Sequence, residues 1–336
     1  MKQIAPCFFL AFRAVLPALL LCISAASVAQ ASAPSQADWP QRPLRMVVPF
    51  PAGGGSDMVA RALGQGLARQ LGQPVIVDNR PGAATVVGTQ QVVRAAPDGY
   101  TLLLSGSTSF SVNPAVRKTL PYDPARDLAP IAIVARTSLA LVVGQGTPWR
   151  SLREVIAAAG ASPGRIRYGT FGAGSGPHLA GEMFALAAGI QLQPIPYRTT
   201  GQLLVALNSG DVELGIEVAG ALAPQVAAGK LRAVAVLGAG RSAALPWVPT
   251  LAEQGLREAT FEAWFGLAAP GRTPAPVIQK LSRAVTAAMG DPAVQAALRA
   301  QGMEPVAVGA EAFRKEAEAE IARYRMQAVR AGISVD

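Results

Sequence analysis

The stretch Pro49-Phe50-Pro51-Ala52-Gly53-Gly54-Gly55-Ser56-Asp57 decides how this chain is organised. The apolar run before it, residues 44–48, is typical of a buried strand, and the apolar residues spaced four apart after it predict a helix. A strand, a glycine-rich turn and a helix opened by Ser56 and Asp57 direct backbone N–H groups and the helix dipole at one point. The stretch therefore predicts an anion-binding turn, although an ordinary tight turn with a helix cap fits the same residues.

The composition describes a globular chain long enough for two domains. It has 336 residues, of which 51% are hydrophobic and 15% are charged, and such a length can bury more than one core. The net charge is +9, but the basic residues occur singly, without a basic run or interleaved aromatic residues. We therefore expect some attraction for anions and no nucleic-acid partner.

The N-terminus has the pattern of an export signal. Lys2 and Arg13 accompany an apolar run that is continuous over residues 14–23, and Ala29-Gln30-Ala31 matches a small-x-small cleavage site. We predict a signal peptide over residues 1–31, a mature chain that begins at Ser32, and a periplasmic location. The apolar run is too short for a spanning helix, which argues against a membrane anchor.

Strand and helix patterns alternate along the rest of the chain, which predicts an α/β protein with mostly parallel sheets flanked by helices. Predicted strands cover residues 44–48, 75–78, 100–104, 131–134, 139–143, 166–169, 192–197, 212–216, 231–237 and 261–268. Predicted helices cover residues 56–71, 85–95, 151–160, 178–188, 202–209, 222–228, 274–289, 292–301 and 311–331. Residues 105–109 are predicted to form a polar loop. Ser151-Leu152-Arg153-Glu154 matches a capping box at the start of the helix 151–160, and Asp291 is predicted to cap the helix 292–301.

A second glycine-rich loop, Thr170-Phe171-Gly172-Ala173-Gly174-Ser175-Gly176, also lies between a predicted strand and a predicted helix. Ligands of open α/β sheets bind outside the carboxyl ends of the strands. Two such loops facing one another across a cleft would hold a small anion from both sides. The spacing alone does not show that the two loops face each other.

Catalytic chemistry is poorly represented. The chain has one histidine, His178, and its two cysteines, Cys7 and Cys22, lie in the predicted leader, so a multi-histidine or cysteine-ligated metal site is not expected. A hydrolytic triad would need His178 as its base, but Gly174-Ser175-Gly176 lacks the outer glycines of a nucleophile elbow, and Ser175 is better placed to cap a helix. We expect no enzyme, metal or cofactor, and an exported hydrolase using His178 is the alternative.

Histidine and glutamate side chains near the second loop allow two interpretations. His178, in the first turn after the loop, could either approach a ligand or simply bond a neighbouring backbone group. Glu213 and Glu217 are spaced four apart around a predicted strand, which places them on one face. For Glu213 a solvated strand edge is the preferred interpretation.

The chain resembles the substrate-binding proteins of tripartite tricarboxylate transporters, the Bug-type extracytoplasmic solute receptors. The resemblance covers essentially the whole mature chain, and its markers follow one another in the family's order. They include Val47-Val48-Pro49-Phe50-Pro51-Ala52-Gly53-Gly54, Asp78-Asn79-Arg80-Pro81-Gly82-Ala83, Ala96-Pro97-Asp98-Gly99-Tyr100, Leu120-Pro121-Tyr122-Asp123-Pro124, Tyr168-Gly169-Thr170, His178-Leu179-Ala180 and Pro196-Tyr197-Arg198.

The resemblance implies a two-domain periplasmic-binding-protein fold, the Venus flytrap. Domain I would comprise residues 32–140 and 262–336, and domain II residues 141–261, with the chain crossing near 139–143 and returning near 261–268. It also implies a small carboxylate bound in the cleft between the domains and delivered to integral-membrane transporter subunits. The ligand-binding residues predicted together from the two loops and the resemblance are Ala52, Gly53, Gly54, Gly55, Ser56, Asp57, Ser105, Ser107, Thr170, Gly174, Ser175, His178, Tyr197, Thr199 and Glu217.

Three positions depart from the family's pattern. Ser56 stands where threonine is usual and keeps a hydroxyl that could cap the helix. Thr199-Thr200 replaces Gly-Ala, which could add hydroxyls to the cleft, and Glu217 replaces an aspartate, which would reshape the distal half of the pocket. A charged Glu217 that faces the ligand predicts a solute with a donor or amino group at its distal end. We expect a monomer, and a sensor subunit for a membrane signalling partner remains a further alternative.

Overall fold

Strands from distant parts of the sequence share one ten-stranded sheet in the computed structural model, which describes residues 39–333. In chain order, the strands β1 to β10 of these residues are Leu44–Val48, Val75–Asn79, Thr101–Gly106, Leu128–Gly144, Arg167–Thr170, Gln193–Pro196, Leu214–Val218, Leu231–Val236, Glu262–Pro270 and Glu304–Gly309. The predicted signal peptide and its cleavage site lie outside the described residues. Backbone contacts group the chain from Pro40 onward into one unit, to which the following account applies.

Helices flank the sheet. In chain order, α1 to α11 of the described residues are Gly55–Leu71, Val86–Val93, Asn113–Val116, Pro124–Asp127, Leu152–Ala161, Gly176–Ala188, Thr200–Ser209, Ala219–Ala227, Ala275–Met289, Pro292–Ala300 and Ala310–Arg330. A π-helical turn, Thr108–Val112, runs directly into α3, and Arg257–Ala259 forms a 3₁₀ turn. Among residues 39–333, none of these helices has the combined length and apolarity needed to cross a membrane.

The sheet has the order β2-β1-β3-β9-β4-β7-β5-β6, and both β10 and β8 also pair with β4. The strands β2, β1 and β3 are parallel, as are β6, β5 and β7. Pairs made by β4 and β9 are antiparallel. The sheets predicted as mostly parallel are therefore mixed, because two strands that pass between the parallel groups run against them.

Strand β4 is common to both ends of the sheet. Its residues up to Ser138 pair with β9 and β10, and its residues from Leu139 pair with β7 and β8. We call the elements β1–β3, β9, β10, α1–α4 and α9–α11 the first lobe, and β5–β8 and α5–α8 the second lobe. The two strands predicted at 131–134 and 139–143 are one strand, because polar residues 136–138 mark the change of partners and not an end.

Local signals explain where most helices begin and end. Ser151 Oγ accepts a hydrogen bond from Glu154 N at 3.3 Å, which confirms the serine half of the predicted capping box at α5. The Glu154 carboxylate accepts from Arg150 N at 2.6 Å, one residue before the N-cap Ser151. Asp291 caps α10 through Ala293 N at 2.8 Å, as predicted. The helix α1 ends at Gly72, whose φ of 68° needs a glycine.

Further segments differ from the sequence-based expectation, including the short helices α3 and α4, which were not predicted. The polar residues predicted as a loop at 105–109 instead complete β3 and begin the π-helical turn, because their hydroxyls bond one another and buried Phe110 anchors the turn. Strand β10 was not predicted at all. It has a weak alternation, and it exists because it pairs with β4, which lies more than 150 residues earlier.

The core of the first lobe is built around a cluster of three aromatic side chains, one pair of which is stacked while the other two pairs are edge-to-face. Phe110, Trp264 and Phe313 lie within 5.0–5.6 Å of one another, measured between ring centroids. All three are almost fully buried, and pairs of this kind stabilise a core beyond the area they bury. In the second lobe, Tyr168 and Phe184 are fully buried in the corresponding core. These cores hold the carboxyl ends of the strands in place, and the candidate site lies there.

Candidate functional site

The first glycine-rich turn, residues 52–54, is exposed and leads into a helix whose N-terminus has no side-chain cap. Gly53 has φ of 79°, a conformation that L side chains rarely adopt, and the N-cap of α1 is Gly54. The prediction that Ser56 caps this helix was wrong, because Ser56 lies one residue inside it. The first N–H groups of any helix lack intrahelical partners, so those of Gly55 and Ser56 are available to a bound group.

Asp57 holds this turn in shape. Its Oδ2 accepts hydrogen bonds from Gly53 N at 3.0 Å and Arg61 Nε at 2.9 Å, and its side chain is 4% exposed. Burial by itself raises the pKa of Asp57, but the hydrogen bonds from Arg61 and Gly53 outweigh it and leave the pKa below its ordinary value. Asp57 therefore stays ionised, and its geometry favours support of the turn over direct contact with a solute.

Ser105 and Ser107 lie at the end of β3 and the start of the π-helical turn, and both are buried. Ser105 Oγ is 2.6 Å from Ser109 Oγ, which in turn bonds Thr85 Oγ1 at 2.8 Å and Thr89 Oγ1 at 2.9 Å. The hydroxyl of Ser105 is thus engaged inside the protein. Ser107 contributes its carbonyl, which accepts a hydrogen bond from Ser111 Oγ at 3.0 Å.

The Thr85 end of this hydroxyl cluster belongs to an unusual loop. Ala83, Ala84 and Thr85 have φ of 46°, 50° and 76°, so three consecutive non-glycine residues are left-handed. Asn113 Nδ2 donates to Ala84 O at 2.8 Å, and Arg117 Nη2 donates to Ala83 O at 3.1 Å. Conformations of this kind persist only where surrounding bonds enforce them, and these bonds do so.

The second glycine-rich loop is closed by its own polar groups. Thr170 Oγ1 accepts from Gly172 N at 3.2 Å, and Gly172 and Gly174 have φ of 92° and 79°. Ser175 Oγ accepts from His178 N at 3.3 Å, which confirms the predicted cap on α6. Because Ser175 is used in this way, it is not arranged as a nucleophile with His178 as its base.

The imidazole of His178 lies in the first turn of α6 and is partly buried. Its Nδ1 is buried and has no hydrogen-bond partner among the residues that the structure describes. Burial lowers the pKa of His178 below its ordinary value, and the Glu182 carboxylate only partly opposes this effect. The ring is therefore neutral at neutral pH, and one of its nitrogens remains open to a bound molecule or to water.

Tyr197 and Thr199 lie just after β6. Tyr197 N donates to Thr170 O at 2.8 Å, so this segment is attached to the second loop. A methyl group placed on Gly169 would meet the Tyr197 ring at 3.2 Å, which shows how closely the ring packs on β5. Thr199 Oγ1 accepts from Gln202 N at 3.2 Å and caps α7.

Glu217 is the last residue but one of β7 and is 7% exposed, and its two hydrogen-bond donors described within residues 39–333 are uncharged. Thr200 Oγ1 donates to its Oε2 at 2.8 Å, and Val218 N donates to its Oε1 at 2.7 Å. Burial raises the pKa of Glu217, and the two hydrogen bonds counter only part of the increase. Glu213, by contrast, is not a solvated edge: it pairs with Arg167, whose Nη2 lies 2.5 Å from its Oε1.

Close contacts join these segments into one region. A methyl group on Gly106 would lie 3.6 Å from the Phe50 ring, which places the first turn beside the end of β3. A methyl group on Gly176 would lie 3.6 Å from Thr108 Oγ1, which places the second loop beside the π-helical turn. The structure thus brings together the carboxyl end of β3, the first turn and the second loop.

Sequence reasoning missed several residues of this region. Thr200, the hydrogen-bond partner of Glu217, was noted only as a departure from a family pattern, and Thr108 was placed in a loop. Met303 was not considered at all, although its Cε would lie 3.3 Å from a methyl group on Gly55. Glu217, a carboxylate near the end of an apolar strand, needs a hydrogen-bond donor, and this need could have suggested Thr200. No local signal connects Met303 with a turn some 250 residues earlier.

Other candidate sites are separate from this region. Among residues 39–333, no three His, Cys, Asp or Glu side chains gather where they could hold a metal ion. A groove of about 540 Å³ lies between the segment 239–260 and α11, and it is lined by charged groups that include Arg241, Glu253 and Arg323. Arg241 pairs with Glu253 at 3.0 Å there. None of the predicted ligand-binding residues lines the groove.

The fold and the site define a class of protein. Two α/β lobes share long strands, and a glycine-rich turn of each lobe lies near the carboxyl end of β3, which is the architecture of the two-domain periplasmic binding proteins. Solved structures agree. The R. palustris protein Rpa4515, solved with adipate, has a TM-score of 0.82 and 34% identity over 88% of this chain and 99% of its own. MatC from Rhodopseudomonas palustris, with bound malate, has a TM-score of 0.79 and 28% identity over 86% and 99%.

Sequence comparison then gives the family. The profile described as "Tripartite tricarboxylate transporter family receptor" matches residues 59–330. Protein BugT of Bordetella pertussis is 40% identical over 277 residues, which cover 82% of this chain and 85% of BugT. The chain belongs to the tripartite tricarboxylate transporter receptor family. This is a family of solute receptors and not of enzymes, so the hydrolase alternative is set aside.

Proposed function

We propose that this receptor is exported to the periplasm, captures a small dicarboxylate between its lobes and delivers it to integral-membrane transporter subunits. One carboxylate of the solute binds the first glycine-rich turn and the start of α1. The second loop, with Thr170 and His178, and the side chains of Tyr197 and Glu217 contact the rest of the molecule. The boundary between the two moving domains lies near residues 140 and 261, where β4 changes partners and β9 begins.

The uncapped start of α1 is the observation that carries this proposal. Its N–H groups and the positive end of the helix dipole are unsatisfied by any side chain, and Gly53 places no Cβ in front of them. A carboxylate supplies the missing acceptors and the opposite charge together. Asp57 lies behind the turn with Arg61, so its own charge is already compensated.

The relatives support a dicarboxylate. Two receptor structures that share this fold hold adipate and malate, which both carry a carboxylate at each end. In this chain, Nδ1 of His178 is an unpartnered buried atom in the second lobe, and it is available to the far end of such a solute. The residues that distinguish one dicarboxylate from another therefore lie in the second lobe.

A thermal-shift screen tests the proposal. Purified protein is heated with mono-, di- and tricarboxylates, aromatic acids and amino acids, each present far above its expected dissociation constant. A solute at a thousandfold excess over its dissociation constant should stabilise the folded state by about 4 kcal/mol, which raises Tm by several degrees. A screen in which no carboxylate raises Tm would contradict the proposal.

Glu217 governs the choice at the distal end of the solute in this proposal. A buried carboxylate whose only partners are a hydroxyl and an N–H gains most from a cationic group on the ligand. Glu217→Gln should therefore weaken binding of amino-bearing dicarboxylates about tenfold and leave plain dicarboxylates unchanged. Glu213→Gln, on the same strand region but paired with Arg167, is the control. Equal affinity of Glu217→Gln and the parent for every acid would exclude this role.

Export and delivery have their own tests. The mass of the protein recovered from the periplasm should correspond to a chain that begins at Ser32. Light scattering should show a monomer, and crosslinking in membranes should join the receptor to transporter subunits. Recovery with a signalling kinase in place of a permease would support the sensor alternative.

A further inference from the structure

The turn between α10 and β10, which we call the 301–303 turn, touches both lobes. Gln301 and Gly302 lie against Gly220 in the first turn of α8: a methyl group on Gly220 would be 2.7 Å from Gly302 Cα and 2.8 Å from the Gln301 carbonyl carbon. On the other side, Met303 Cε packs against Gly55 at the start of α1. One short turn of the first lobe thus contacts the second lobe and the proposed carboxylate turn.

The backbone of this turn is firmly held. Gln301 N and Met303 N both donate to Leu298 O, at 3.0 and 3.2 Å, and Gly302 N donates to Arg299 O at 2.9 Å. These bonds form the C-terminal cap of α10, for which the left-handed Gly302, with φ of 68°, is suited. The turn cannot easily yield when another backbone presses against it.

Gly220 is not explained by its own backbone. Its φ lies outside the left-handed region, and it occupies the second position of α8, where alanine would favour the helix by about 0.5–1 kcal/mol. What a side chain there would meet is backbone, which cannot move aside as a flexible side chain can. The requirement at position 220 is therefore space, and the space is needed only when the two lobes are together.

We propose that the 301–303 turn is the surface against which the second lobe stops when the receptor closes, and that Gly220 and Gly302 are positioning residues for solute binding. The proposal rests on the proposed function, because closure has a purpose only if a solute is enclosed. Two facing glycines let the backbones meet, and the contact fixes how near Glu217, three residues before Gly220, comes to the first turn. Met303 transmits the same contact to the start of α1.

The first test compares two glycines at the same helix position. Gly201 is the second residue of α7, and a methyl group there would meet nothing closer than 3.9 Å. Gly220→Ala should keep or raise the Tm of the solute-free protein, yet weaken binding of the best dicarboxylate of the screen about tenfold or more, because the closed state is disfavoured. Gly201→Ala should change neither. Equal affinity of Gly220→Ala and Gly201→Ala would overturn the proposal.

The second test needs no solute. Gly302 faces Ala244, because a methyl group on Gly302 would lie 3.2 Å from Ala244 Cβ. Gln301 is the next residue, with its Cα about 3.8 Å from that of Gly302, so Gln301→Cys with Ala244→Cys brings two thiols near each other and leaves both glycines unchanged. Residues 39–333 contain no cysteine, so a short flexible bismaleimide should join this pair within one molecule, as seen by mass, and each single-cysteine variant should remain a monomer. Failure of the pair to form the crosslink would also overturn the proposal.

The two tests separate this proposal from the function on which it rests. Formation of the crosslink in a protein that binds no carboxylate would support the contact and refute the proposed function. Carboxylate binding without the crosslink, or with undiminished affinity in Gly220→Ala, would support the proposed function and refute the role of the 301–303 turn in closure.

Discussion

Strain concentrated at single residues has a measurable cost. Ala83 adopts a left-handed conformation, its side chain is exposed, and its carbonyl accepts a hydrogen bond from Arg117. A left-handed L-residue costs roughly 1–2 kcal/mol, and glycine does not carry this cost, although it orders a more flexible chain. The loop 83–85 therefore stores energy that the buried hydroxyl cluster around Ser109 must offset.

The first prediction follows at this scale. Ala83→Gly should raise the free energy of unfolding in urea by about 0.5–1 kcal/mol, because it relieves the left-handed strain. Ala157→Gly makes the same chemical change at an exposed position of α5, where it should lower stability by about 1 kcal/mol. The expected result is that the free energy of unfolding rises in Ala83→Gly and falls in Ala157→Gly. A loss of stability in both would show that Ala83 is not strained.

Residue-scale inference from the sequence succeeded where the partner of a residue lies near it in the chain. Ser151, Ser175 and Asp291 cap helices as predicted, since each bonds an N–H two or three residues away. It failed for Ser56, because several residues near a helix start can cap and only the path of the turn decides among them. The partners of Glu217 and Met303 are fixed by packing that sequence spacing does not reveal.

At the scale of one element, a glycine with positive φ flanks each end of α1, but only the one at the N-terminal end belongs to the proposed binding turn. Gly53 precedes the helix with φ of 79°, and Gly72 ends it with φ of 68°; a methyl group on either would meet nothing within 4 Å. Replacing each glycine by alanine therefore separates the cost of the left-handed backbone conformation, which both variants share, from an effect on solute binding, which only the change at Gly53 should have.

The second prediction uses this pair. Gly53→Ala and Gly72→Ala should each lower the free energy of unfolding by roughly 1 kcal/mol, because both residues are left-handed. Only Gly53→Ala should also weaken dicarboxylate binding, by about tenfold, since its methyl group faces the approach to the start of α1. Calorimetric titration and urea unfolding measure the two effects. Similar affinities for both variants would place the carboxylate elsewhere.

Elements with strong periodicity were predictable, and elements that depend on a distant partner were not. The pattern of α1, α9 and α11 is local, and their predicted limits differ from the observed limits by one residue or so. Strand β10 has few strand-forming features of its own and is held by β4. The π-helical turn Thr108–Val112 depends on hydrogen bonds from the buried Ser109 hydroxyl to residues 85 and 89. Because these partners are about 20 residues away in the chain, the sequence of the turn alone does not predict it.

At the scale of the molecule, one buried carboxylate joins the last helix to the rest of the first lobe. Glu320 Oε2 accepts from Ser111 Oγ at 2.6 Å and from Trp264 Nε1 at 3.1 Å, and Tyr324 OH lies 3.4 Å from its Oε1. Burial raises the pKa of Glu320 to about 7, although the hydrogen bonds from Ser111 and Trp264 favour the ionised form. The charge of Arg323, 3.9 Å away, is too distant to hold it ionised at lower pH.

The third prediction is a dependence of stability on pH. The folded-state pKa of Glu320 lies above its ordinary value of 4.5, so the folded protein keeps a proton that the unfolded chain releases. The contribution of Glu320 to the free energy of unfolding is therefore complete below pH 4.5. It is lost as pH rises through 7, which lowers the free energy of unfolding by up to about 3 kcal/mol. Glu320→Gln keeps the hydrogen bonds and cannot ionise.

Urea unfolding at pH 5 and pH 8 measures this effect. The parent should lose more stability than Glu320→Gln across that interval, and the difference between the two proteins isolates Glu320 from other titrating groups. Parallel pH profiles would show that the carboxylate does not titrate in this range.

The strand pairs made by β4 also predict the order in which the two lobes fold. The strands β5 to β8 pair among themselves and with β4, so all partners of the second lobe lie between residues 128 and 236. The strands β1 to β3 pair with one another but reach β4 only through β9, and β10, which also pairs with β4, extends to residue 309. A chain that emerges with its N-terminus first would therefore complete its second lobe before its first lobe. Pulsed hydrogen exchange should protect Val142 and Gly215 earlier than Leu103 and Ala268.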